Sequence, residues 1–126
     1  MSEKRWLAGA AVLALGVLSG LAPSIGEADE VAGASVFTEC AACHSTDDTN
    51  GVGPSLKGVV GRNSASVPGF AYSNAMKRAK LQWTAAQLDE YIASPQTVVP
   101  GNTMPYAGMT DATRRAALVA YLSTLE

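Results

Sequence analysis

The sequence predicts an all-α fold whose helices are joined by long, ordered loops. Three observations point to it. Apolar residues recur at helical spacing in residues 84 to 94 and 110 to 124, and no stretch alternates apolar and polar side chains as a half-buried strand would. The connecting segments are rich in glycine and proline yet too long for simple turns, so something must organise them. Residues 29 to 126 also carry only seven aromatic side chains among 98 residues, a thin supply for a core built from protein alone.

The elements follow in chain order. Lys4 and Arg5 precede an apolar run over residues 6 to 22, which breaks at Pro23 and reaches the small residues Gly26 and Ala28 before Asp29 and Glu30. Residues 1–28 therefore read as a signal peptide cleaved after Ala28. The competing reading is an uncleaved membrane anchor, because the run is long for a signal and short for a span. Residues 29–126 form the single domain that remains. Within it, residues 31 to 42 make a short helix with Val36 and Phe37 as its bulky apolar side chains. Residues 44 to 69 are turns, and residues 71 to 79 one or two helical turns. Residues 84 to 94 form a clearer helix: Thr84 and Gln87 match a capping box, Leu88, Tyr91 and Ile92 share a face, and Pro95 stops it. The next fourteen residues, PQTVVPGNTMPYAG, contain three prolines and two glycines and are expected to be irregular. Residues 110 to 124 close the chain as a helix with Leu118, Leu122 and Leu125 on one stripe and Tyr121 beside it.

Nine acidic and seven basic residues give positions 29 to 126 a net charge of −2. That balance excludes nucleic acid as a partner, and export would place the cysteines in an oxidising compartment. Both cysteines and the single histidine fall within the segment ECAACHS, as Cys40, Cys43 and His44. A redox dithiol would want a preceding strand and makes no use of His44. A zinc site needs four ligands, and the supply of Cys and His is exhausted. A disulfide across two intervening residues is strained. Covalent attachment of haem c uses every member: Cys40 and Cys43 form thioethers to the vinyl groups, and His44 ligates iron.

A second axial ligand cannot be histidine. Either the iron is five-coordinate, as in a gas-binding or peroxidatic protein, or a thioether completes it from Met76, Met104 or Met109. Core packing is enough to explain Met76 and Met109. Met104 stands in VPGNTMPY, where Pro100, Gly101 and Pro105 hold an irregular backbone that can aim one side chain inward, and it is the expected ligand.

The run CAACH, GPSLKGVVGR, GFAYSNAMK, the tryptophan at 83, LDEYIASPQTVVPGNTMPYAG and RAALVAYL, in that order over about residues 31 to 125, resembles the class I cytochromes c. This group includes bacterial soluble cytochrome c2. The resemblance implies a cytochrome c fold of about three to five helices wrapped around one covalent haem. Its N- and C-terminal helices would cross near Gly33, with Phe37, Leu118 and Tyr121 at the contact. It further implies that the Pro54 carbonyl orients His44, that Arg62, Tyr72 and Trp83 hold a haem propionate, that Tyr91 bonds toward Met104, and that Tyr106 stands at the haem edge. The implied function is a monomeric periplasmic electron carrier between protein redox partners, not an enzyme. It would touch the membrane only through those partners unless residues 1–28 are retained. Two departures stand out. Glu39, Gln96, Thr103, Thr110 and Asp111 occupy places where mitochondrial members carry docking lysines, and Met76 occupies a place where many relatives carry a polar residue.

Overall fold

The computed structural model describes Gly20 and residues 25–126. The leader reading of residues 1–28 thus lies outside the described residues except at Gly20 and at its last four positions, which form the first turn of a helix. Among the described residues five helices follow one another: α1 (Ile25–Phe37), α2 (Asn74–Ala79), α3 (Ala85–Ala93), α4 (Pro95–Val98) and α5 (Ala112–Leu122). Among the described residues there is no strand, only one isolated antiparallel bridge between Asn63 and Gln82. None of the described helices is long and apolar enough to cross a membrane.

α1 begins six residues earlier than the apolar pattern suggested and ends five residues sooner. The early start suits Glu27, whose carboxylate lies in the first turn near the positive end of the helix dipole. The end has a local cause. The Thr38 hydroxyl donates to the Ser35 carbonyl at 2.7 Å, and the N–H groups of Glu39 and Cys40 bond three residues back to Val36 and Phe37 at 3.1 and 2.8 Å. That tightening converts helix into successive turns through residues 38 to 43.

α2, α3 and α5 begin where side-chain oxygens cap them. Ser73, Thr84 and Asp111 accept the N–H groups of Met76, Gln87 and Arg114 at 3.1, 3.1 and 3.0 Å. Only half of the expected capping box forms at α3, because the Gln87 amide turns to Glu90 instead of returning to Thr84. α4 corrects the expectation of an irregular segment. Pro95 sits in its first turn, where the missing N–H costs nothing, and Val99 closes the turn on the Pro95 carbonyl at 2.9 Å.

α1 and α5 make the most extensive contact between helices. A Cβ on Gly33 would overlap the Ala117 carbonyl and the Tyr121 Cβ, so only glycine lets the two backbones come this close. The Phe37 and Tyr121 rings flank the contact with centroids 5.3 Å apart. Leu118 and Leu122 are 2% and 3% exposed, each contributing about 2 kcal/mol of apolar burial. Val119 is also buried, which widens the apolar face beyond the predicted stripe. α3 packs on α5, and Arg115 of α5 donates to the Asp89 carboxylate of α3 at 2.9 Å and to the Met109 carbonyl at 2.8 Å.

Replacing Gly33 with alanine should therefore lower stability by about 3 kcal/mol, since the obstacle is backbone that cannot rotate away. Urea denaturation of the purified protein, read as a lower midpoint at unchanged slope, checks this.

Candidate functional site

The loops after α1 and around α2, α3 and α4 converge on one cavity of about 300 Å³. Its wall contains Cys40, Cys43, His44, Pro54, Arg62, Tyr72, Trp83, Tyr91, Met104 and Tyr106, every site residue expected from the sequence. Leu56, Val59, Leu88, Leu118 and Leu122 supply much of the apolar remainder.

His44 is held on two sides. Its Nδ1 lies 2.7 Å from the Pro54 carbonyl, which makes Nδ1 the protonated nitrogen and leaves Nε2 with a free lone pair for a metal. A Cβ on Gly53 would overlap the ring itself, so Gly53 is what allows the chain to pass against it. The loop that presents Pro54 is closed by the Gly53 N–H on the Cys43 carbonyl at 2.8 Å. Asn50 ties that loop further, accepting from Ser55 N–H at 3.0 Å and donating to the Pro68 carbonyl at 2.9 Å.

Cys40 and Cys43 are both unpaired and half-buried. Burial pushes the Cys40 thiol up, and the neighbouring Glu39 and Cys43 push it the same way. A redox dithiol needs the opposite, a thiolate stabilised near neutral pH.

Of the three candidate methionines, Met104 and Met76 line the cavity, whereas Met109 is core filler outside it. The Tyr91 hydroxyl donates toward Met104 Sδ at 4.0 Å. Its ring packs on Trp83 with centroids 5.0 Å apart, and burial pushes its pKa from 10.0 up to about 12. Asn102, which sequence reasoning missed, holds the Met104 loop from within. It is 7% exposed, donates to the Pro95 and Val99 carbonyls at 3.0 and 2.9 Å, and accepts the Met104 N–H at 3.0 Å. Gln96 adds an outer tie, donating to the Asn102 carbonyl at 2.9 Å and accepting from Gly101 N–H at 3.1 Å. No pattern in the run PQTVVPGN marks either residue, because the groups they satisfy are backbone N–H and C=O that every residue carries.

At another wall, Arg62 donates to the Ser55 and Lys57 carbonyls at 3.0 and 2.8 Å. Its Nε is buried with no partner, and burial lowers the guanidinium pKa. The Tyr72 hydroxyl accepts Val67 N–H at 3.1 Å, which leaves its own proton for another acceptor. Trp83 joins this group because its backbone exchanges bonds with residues 61 and 62 at 2.8 Å each. A cation with an orphaned donor beside a phenol donor is an arrangement that fits a carboxylate entering the cavity.

Comparison with known proteins identifies the family and the fold. The family model described as Cytochrome c matches residues 30–126. The chain is 48% identical over 98 residues to a cytochrome c-type protein, cyt cy, of Rhodobacter capsulatus, across 77% of this chain and 49% of that one. It thus spans about half the length of that relative. It is 44% identical over 98 residues to cytochrome c2 of Rhodomicrobium vannielii, across 76% and 78% of the two chains. Among solved structures, cytochrome cH from Methylobacterium extorquens shares the fold at a TM-score of 0.74 and 41% identity, covering 76% of this chain and 98% of that one. The fold is that of the cytochromes c. Covalent haem c is the family's cofactor, and Cys40 and Cys43 fit its attachment motif.

Two outcomes follow. Asn102→Ala should cost about 1 to 3 kcal/mol, because the Met104 N–H loses its acceptor and the Pro95 and Val99 carbonyls each keep only a backbone donor, measured as a lower urea midpoint. Because the folded state holds the Tyr91 proton more tightly than the unfolded chain, that contribution is complete below pH 10.0 and is lost as pH rises toward about 12. Alkaline denaturation of Tyr91→Phe should show a shallower decline across that window.

Proposed function

This chain belongs to the cytochrome c family, and from that premise we propose that it carries single electrons between redox proteins through a haem held by Cys40, Cys43, His44 and Met104. One observation carries this reading. The cavity wall presents two ligand side chains, His44 and Met104, and each is held by a partner of its own: Pro54 for the imidazole and Tyr91 for the thioether. Two such restrained side chains would hold the iron of a bound haem and leave substrate no open place on it, which favours a carrier over a gas-binding or peroxidatic protein.

When bound, the haem supplies a one-electron iron couple. The residues around it set how that couple behaves. His44, with its Nδ1 proton committed to Pro54, is a stronger and better-oriented donor through Nε2. The Met104 thioether is a soft ligand that favours ferrous iron, and the apolar wall formed by Val59, Leu88 and Leu118 disfavours the extra charge of the ferric state. Arg62, with its unmet Nε–H, would neutralise a propionate of the bound haem. The hydrogen bonds of Asn102 and Gln96 keep the ligand loop from relaxing between the two oxidation states, so little has to reorganise when an electron moves.

The same reading assigns residues 1–28 to export with cleavage after Ala28, leaving residues 29–126 as a monomeric periplasmic carrier. N-terminal sequencing of the mature protein tests that assignment. The ligand pair is tested optically: the ferric protein should show the weak far-red band of sulfur bound to iron. Met104→Ala should abolish it, and Met76→Ala and Met109→Ala should keep it. A band that survives in Met104→Ala sinks the assignment.

A further inference from the structure

Residues 29 to 126 contain seven basic side chains. Four are engaged: Lys57 pairs with Asp48, Arg114 with Glu39 and Arg115 with Asp89, while Arg62 is turned inward onto backbone carbonyls. The other three, Lys77, Arg78 and Lys80, lie together on α2 and its C-cap. All three are exposed, and none forms an ion pair among the described residues.

Complementing the helix dipole does not account for the cluster. α2 has only six residues, and a cation in its last turn would serve that purpose alone. Lys80 moreover occupies the left-handed region, at φ 48°, ψ 46°, where glycine or asparagine would avoid strain. A positive charge is therefore held at a position unfavourable to its backbone.

The placement of α2 gives the cluster a use. Its inner side walls the cavity through Met76, with Ser73 at its N-cap, and its Ala75 abuts the ligand loop, since a Cβ on Gly101 would come within 3.6 Å of the Ala75 Cβ. A body resting on the outer side is about one helix diameter, roughly 10 Å, from the cavity. The cavity lip carries no net charge: Val52 is 73% exposed, Thr103 and Pro105 are exposed, and Glu39 is neutralised by Arg114. Electrostatic steering in a chain of net negative charge is thus concentrated on one helix beside the cofactor.

We propose that the outer face of α2, through Lys77, Arg78 and Lys80, docks an acidic surface of a redox partner protein. The proposal rests on the electron-carrier reading above. A gold electrode bearing a carboxylate-terminated monolayer serves as the probe, with the haem-loaded protein examined by voltammetry at low salt. Wild type should adsorb and give a redox wave, and the triple variant Lys77→Gln, Arg78→Gln, Lys80→Gln should lose about tenfold in electroactive coverage. Salt near 1 M should remove the difference by screening. A variant with the same charge change on α1, Val31→Glu, Ala34→Glu and Ser35→Glu, should stay within about twofold of wild type, because the position of charge matters more than its sum. Full coverage in the α2 variant, or equal loss in both variants, would overturn the proposal. Capture of wild type but not the α2 variant by phosphatidylglycerol vesicles at about 100 mM salt would overturn it in favour of a lipid surface. A haem-loaded protein that gives no wave on any electrode would instead overturn the carrier reading itself.

Discussion

Where Gly33 lies against the Ala117 carbonyl, the backbones of α1 and α5 touch with no side chain between them. The loops hang from this contact. α1 leads directly into the turns that carry Cys40, Cys43 and His44, while α5 brings Leu118 and Leu122 to the wall of the same cavity. Because the two ends of the domain are joined here, everything from residue 44 to residue 111 is a closed excursion that leaves the helix pair and returns to it. Closing so long a loop is entropically expensive, and the stretch between is poor in apolar side chains of its own. A covalent haem explains how such a chain becomes ordered, since it is a large apolar body on which each loop can pack.

Two devices restrain the side chains proposed as ligands, and they differ in kind. His44 is held by backbone, through the Pro54 carbonyl and the close passage of Gly53. Met104 is held by side chains: Tyr91 toward its sulfur, Asn102 on its N–H, and Gln96 one step further out. The difference follows from position. His44 sits next to the covalent anchor, where the chain has little freedom left. Met104 sits in a segment broken by prolines, where side-chain amides, buried at Asn102 and exposed at Gln96, must supply the order that a helix ladder supplies elsewhere.

Charge is distributed by the same economy. Three cations are tied to carboxylates, and Arg115 also gathers the Met109 and Thr110 carbonyls at 2.8 and 3.0 Å, joining α5 to the end of the ligand loop. Arg62 is spent inside the cavity wall. What remains is concentrated on α2, a short helix whose other side faces the cofactor space.

Much of this was legible in one dimension. The spacing of Cys40, Cys43 and His44 names its chemistry because thioether attachment and axial ligation need those groups adjacent in the chain. A lone histidine left five-coordinate iron or a thioether as the choices, and the prolines around Met104 made it the expected thioether. Helix registers at α3 and α5 were visible from apolar periodicity, with the Val119 face underestimated. Helix ends were not: Thr38 ending α1 and Pro95 starting α4 depend on hydrogen bonds that compete at nearly equal cost. Asn102, Gln96 and Asn50 were invisible as organisers because their partners are backbone groups, which every residue possesses and no pattern marks. Nor could the pairing of Glu39 with Arg114, 75 positions apart, be read from composition, although it leaves α2 as the exposed positive face. Chemistry that depends on neighbours along the chain is written in the sequence, whereas the restraint of Met104 and the location of free charge depend on groups that only folding brings together.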